Sequence, residues 1–142
     1  MAPAVVGTRA PPTRLLVVED DAAVCRVYME VLGGPGREIL LAGSCAEAMQ
    51  RLDEIAGDAH VLIVDLGLPD GDGTDFVRGA SKKYGARPTL FVSGWTDEFW
   101  DLHAAPGRWL VMRKPIAIQK LRAAVDWLAT GGAKPALLDE AE

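Results

Sequence analysis

Four short segments of this sequence set chemically able side chains close behind apolar runs. Glu19, Asp20 and Asp21 follow "RLLVV", Asp65 follows "HVLIV", Ser93 follows "TLFV", and Lys114 with Pro115 comes just after "WLVM". Carboxylates brought together repel unless a proton or a hard cation intervenes, and Mg2+ is typically held by one or two carboxylates with waters and a phosphate. A lysine and a hydroxyl at the same place would then have an anion to contact. A phosphoryl group on Asp65 meets that description, because side-chain carboxylates serve as nucleophiles in phosphoryl transfer.

For these groups to meet, the elements that carry them must end on one edge. The runs Arg14–Val18, Glu38–Ala42, His60–Val64, Thr89–Val92 and Trp109–Met112 are continuous rather than alternating, as strands covered on both faces should be. Helical spacing separates them. Val24, Val27 or Tyr28, and Val31 mark a first helix; Ala46, Met49, Leu52 and Ile55 a second, opened by the capping-box pair Ser44 and Glu47. A third starts at Asp72 or Thr74 and ends near Tyr84 with Gly85 as its cap, a short one follows Thr96 until Pro106 and Gly107, and the last runs from about Ile116 to Thr130. Strand and helix in alternation predict a doubly wound five-stranded parallel sheet, an α/β fold, in which ligands bind at the carboxyl ends of the strands.

The 142 residues suffice for one core. Residues 1–13, with Pro3, Pro11 and Pro12, and residues 133–142 are expected as flexible tails around a domain at 14–132. Fifteen basic against twenty acidic residues, with no basic cluster, disfavour direct nucleic-acid binding. No apolar run is long enough to span a bilayer, so a cytoplasmic protein without membrane insertion is expected. Cys25 and Cys45 lack metal or redox spacing and read as buried thiols, and His60 at a strand start reads as structural.

"LLVVEDD", "LIVDLGLPDGDG", "LFVSG" and "RKPI", in this order, resemble the response-regulator receiver domain of two-component signalling over roughly Arg14 to Thr130. The resemblance implies a flavodoxin-like sheet with strand order 2-1-3-4-5. It makes Asp65 the phosphoacceptor and assigns Mg2+ to Glu19, Asp20, Asp65 and the backbone carbonyl of Gly67. Ser93 would turn its hydroxyl, and Lys114 its ammonium, to the phosphoryl oxygens, with a cis peptide before Pro115 aiming the lysine. The implied partners are a histidine kinase or histidine phosphotransfer protein as donor and a downstream protein that reads the change. The implied role is a stand-alone signalling switch that assists its own phosphorylation and dephosphorylation, not an enzyme acting on outside substrates.

Two departures qualify the match. Val111 stands where many receivers carry a switching aromatic, and "PTLFVSGW" partly resembles the PFxFATGY-type signature of some single-domain receivers. Trp95, Trp100 and Trp127, with Val111, are candidates for a switch or partner surface, against the plainer reading of tryptophan as packing. One alternative is a small phosphatase or phosphotransferase using "DGDGT", which resembles the nucleophile motif of haloacid-dehalogenase-type enzymes. There the first aspartate should stand at the strand end, but Leu66 to Pro69 separate Asp70 from that place. Asp70 and Asp72 therefore read as turn residues and a helix cap, as does Asp21. A degenerate receiver acting as a scaffold is the other alternative.

Overall fold

The computed structural model describes residues 11–94 and 107–139. Five parallel strands, β1 (Thr13–Val18), β2 (Arg37–Ala42), β3 (Val61–Asp65), β4 (Thr89–Ser93) and β5 (Trp109–Arg113), form one sheet in the order β2-β1-β3-β4-β5. This is the expected flavodoxin-like order. Four helices flank it among the described residues: α1 (Ala22–Leu32), α2 (Cys45–Glu54), α3 (Gly73–Tyr84) and α4 (Ile118–Thr130). The helix expected after Thr96, with Trp95 and Trp100, lies outside the described residues.

Each strand's alternate side chains feed two separate cores. Leu15, Val17, Ile63, Leu90 and Val92 pack beneath α1 and α4 with Tyr28, Leu32, Leu121 and Leu128. Leu16, Val18, Leu62, Val64 and Phe91 pack beneath α2 and α3 with Leu52, Phe76 and Val77. All five residues of β3 and of β4 are buried, which is why these runs are apolar without alternation. In α1 the choice left open by the periodicity falls on Tyr28, while Val27 remains 47% exposed.

The helix ends follow local chemistry. Asp21 caps α1 by accepting from the amides of Ala23 and Val24, and Gly85, at φ 92°, ends α3 as expected. Ser44 Oγ accepts from the Glu47 amide, whereas the Glu47 carboxylate reaches back one residue further than a capping box, to the Gly43 amide at 2.7 Å. α4 starts at Ile118, two residues later than the spacing suggested, and no side chain caps it.

Three local expectations are revised. β1 begins at Thr13, inside the expected tail. Residues Ala136–Asp139, also expected as tail, form a 3-10 turn whose Leu138 packs on the α1/α4 core, an attachment that no local signal encodes. Cys25 and Cys45 are half-buried rather than buried, both as free thiols.

Candidate functional site

The carboxyl ends of β1, β3, β4 and β5 bring the predicted groups together. Glu19 and Asp65 are 3% and 6% exposed, although carboxylates are seldom buried unless paired. Their partner is Lys114, whose Nζ lies 2.9 Å from Glu19 Oε1 and 3.1 Å from Asp65 Oδ2. One ammonium therefore bridges two acids at the ends of different strands. The approach to Glu19 is off the line of a hydrogen bond, so Glu19 Oε1 is a buried oxygen without a hydrogen-bond donor among the described residues. Glu19 Oε2 accepts from the Asp21 amide at 3.1 Å.

The electrostatics follow from this crowding. Burial raises the pKa of Glu19 above the ordinary glutamate value, against the pull of Lys114 and the Asp21 amide, and the charge of Asp65 raises it further. Burial alone would lower the pKa of Lys114, but its close interaction with the Glu19 and Asp65 carboxylates outweighs burial and leaves it raised. The lysine is thus charged at neutral pH.

Asp20 is exposed beside this pair. One oxygen each from Glu19, Asp20 and Asp65 can lie within 4.8 Å of one another, the reach of a single cation. A buried carboxylate oxygen lacking a donor, next to an exposed and a buried acid, is an oxygen set suited to Mg2+, which takes few protein carboxylates and keeps waters. The residues fit that ion.

Ser93 is buried at the end of β4, where its backbone carbonyl accepts from the Lys114 amide at 2.7 Å. Its hydroxyl donates to the Gly94 carbonyl at 3.4 Å, a weak contact. The Lys114–Pro115 peptide is cis. Gly67 donates its amide to Asp65 Oδ1 at 2.9 Å, and a Cβ there would meet Asp65 Oδ1 only at 3.9 Å, so the position tolerates a side chain.

The loop after Asp65 holds what sequence reasoning missed. Gly67–Leu68 pairs antiparallel with Gly71–Asp72, and Asp72 then caps α3 through the Thr74 amide and hydroxyl. Gly73 opens α3 against the backbone of Asp65: a Cβ there would fall 2.6 Å from the Asp65 carbonyl oxygen and 2.7 Å from Val64 Cγ1. Only glycine lets the helix start so close to the acid. Its signal was the second glycine of "DGDG", legible as a turn residue but not as a close approach.

The other candidates take plainer places. Trp127 donates its Nε1 to the Gly132 carbonyl at 3.1 Å, lies under the Arg108 guanidinium and packs on the α1/α4 core, so it is engaged within the domain. Val111 is half-buried against the α2/α3 core. His60 stands one residue before β3 and accepts the Arg14 amide on Nδ1 at 2.8 Å, a structural role. Beside Lys114 an apolar groove of about 690 Å³ opens between α1 and α4, with Val24, Val27, Tyr28, Ile118 and Leu121 in its walls.

A flavodoxin-like sheet with an acid triad and a lysine at its carboxyl edge defines a phosphoacceptor class, and the chain belongs to the response-regulator receiver domain family, whose model matches residues 15–126. Among curated proteins it is similar to the KDP operon transcriptional regulatory protein KdpE of Escherichia coli, 33% identical over 78% of this chain and 48% of KdpE. It is also 26% identical to the sensor kinase CckA of Brucella abortus, over 78% of this chain and 12% of that protein. The chain spans about half or less of the length of these relatives. Among solved structures, a putative response regulator from Chloroflexus aurantiacus superposes with TM-score 0.72 at 27% identity, covering 83% of this chain and 98% of that one. The receiver domain of the hybrid histidine kinase CckA gives 0.69 at 29%, covering 82% and 99%. No described helix is long and apolar enough to cross a membrane.

Proposed function

We propose that this receiver domain accepts a phosphoryl group on Asp65 from a histidine kinase or a histidine phosphotransfer protein and passes the signal on by protein contact. The observation that carries the reading is the single ammonium of Lys114 held between the buried carboxylates of Glu19 and Asp65. In transfer, an Asp65 oxygen forms the new bond to phosphorus while the donor's phosphorus–nitrogen bond breaks and its imidazole departs. Lys114 is positioned to move from the Asp65 carboxylate to a phosphoryl oxygen, where its charge offsets the negative charge that transfer adds at Asp65. Ser93, on the strand between, is the hydroxyl within the same edge. Mg2+, held by Glu19, Asp20, Asp65 and the Gly67 carbonyl, would neutralise charge on the transferred group. The apolar groove beside Lys114 gives an incoming protein a surface next to the acceptor.

The phosphatase alternative is disfavoured by the occupation of Asp70, whose two oxygens accept backbone amides of α2 and which stands five residues beyond the strand-end acid. Acetyl phosphate with Mg2+ should add one phosphoryl group per chain, seen by intact mass after rapid quenching, and Asp65→Asn should abolish it. Equal labelling of the Asp65→Asn variant, or hydrolysis of a generic phosphoester lost only in Asp70→Asn, would refute the reading.

A further inference from the structure

The loop from Asp65 to Gly73 is anchored at a point remote from its own ends. Asp70, at the tip of the Gly67–Leu68/Gly71–Asp72 ladder, accepts the Cys45 amide on Oδ1 at 2.8 Å and the Ala46 amide on Oδ2 at 3.0 Å. With Ser44 taking the Glu47 amide, the first three amides of α2 are all satisfied, two of them by a residue some 25 positions downstream. The two bonds are charge-assisted at the positive end of a helix, and they hold the Asp70 carboxyl below the usual aspartate range.

This bond pair fixes the tip of a structure that cannot hold itself. A ladder of two residues per strand has no independent stability. Leu68, buried in the α2/α3 core, secures one strand, and Asp70 secures the turn between them. The strand so held contains Gly67, whose amide orients Asp65 Oδ1 and whose carbonyl is the proposed Mg2+ ligand. The side-chain hydrogen bonds of Asp70 run to α2, and none among the described residues runs to the acid cluster. Asp70 acts on that cluster only through the backbone of its loop.

We propose that Asp70 is a positioning residue for the phosphorylation site, docking the Asp65–Gly73 loop on the N-terminus of α2 so that Gly67 is presented to Mg2+ and Asp65 is held for attack. The inference rests on the phosphoacceptor reading above. A cap that served only α2 would be interchangeable with Ser44, and this is the distinction to test.

The wild-type chain and its Asp70→Ala, Asp70→Asn and Ser44→Ala variants would be titrated with Mg2+ by calorimetry, alongside thermal melts and acetyl-phosphate labelling. Asp70→Ala should weaken Mg2+ binding roughly tenfold, at the low end for residues that orient metal ligands. Asp70→Asn, which keeps one acceptor oxygen, should fall between it and wild type. Ser44→Ala, which removes a cap from the same helix end without touching the loop, should lower the melting temperature and leave Mg2+ affinity unchanged. If Asp70→Ala does not fold, Asp70→Asn against Ser44→Ala carries the comparison. Unchanged Mg2+ affinity in the Asp70 variants, or equal losses in Asp70 and Ser44 variants, reduces Asp70 to a helix cap and overturns this inference alone. A wild-type chain that neither binds Mg2+ nor takes a phosphoryl group overturns the phosphoacceptor reading, and this inference with it.

Discussion

The two edges of the sheet treat charge in opposite ways. At the amino edge, several charges among the described residues are paired. Arg14 contacts Glu38 at 2.8 Å and Asp58 at 3.1 Å, Lys83 and Tyr84 both contact Asp53, and Arg37 pairs with Asp126. Arg87 alone donates to the carbonyls of Gly57, Ala59, Tyr84, Gly85 and Ala86, closing the turns before β3 and β4. At the carboxyl edge two buried acids share one ammonium, and a buried oxygen lacks a donor. The first arrangement stabilises a fold; the second leaves electrostatic demand for a cation to meet. The same strands serve both, because a parallel sheet gathers all its strand ends on one side and all its starts on the other.

Substitutions should separate the two edges. The largest effect is expected from Lys114→Ala, which leaves Glu19 and Asp65 buried side by side; it should cost about 3 kcal/mol at neutral pH, the low end for breaking a buried pair, and also slow labelling of Asp65. A calorimetric melt with and without Mg2+ checks it, since the ion should restore part of the loss. Arg87→Ala should come next, at about 2 kcal/mol, because it strips donors from the carbonyls of buried Gly57 and Ala59, yet it should leave phosphoryl uptake intact. If uptake falls in parallel with stability, the edges are not independent.

Glu19→Gln should act with the opposite sign. Removing one of two crowded buried charges while retaining the shape is expected to stabilise the metal-free protein by about 1 kcal/mol and to weaken Mg2+ binding. Denaturant titration and calorimetry together would show whether stability is traded for ligand affinity at this edge. A destabilised Glu19→Gln variant would mean that Lys114 already answers the charge in full.

The smallest effect belongs to the exposed Asp53. Its pKa is lowered by hydrogen bonds from Lys83 and then Tyr84, so its folded value lies below its unfolded one. Such a group adds stability above the unfolded pKa of about 4, and that stability is lost as pH falls through the folded value. The difference in melting temperature between wild type and Asp53→Asn should therefore be present at neutral pH and close below about pH 4. A gap that persists at low pH would trace the effect to something other than the charge.

Most of the carboxyl-edge arrangement was legible in the sequence, since its cues are local. An acid that ends a continuous apolar run stands at a strand end, and Asp21, Ser44 and Gly85 punctuate helices through bonds that span two to four residues. The sequence by itself thus determined the order of elements and the edge on which Glu19, Asp20, Asp65, Ser93 and Lys114 gather. Only the tertiary structure decided that Tyr28 rather than Val27 turns inward, that Leu138 returns to the core, and that Trp127 finds its partners within the domain. It likewise decided that Asp70 caps a helix other than its own and that Arg87 reaches carbonyls as far as 30 residues away. These contacts depend on where two distant segments come to lie, and a side chain's hydrogen-bonding capacity names what it can bind without naming which backbone will be there.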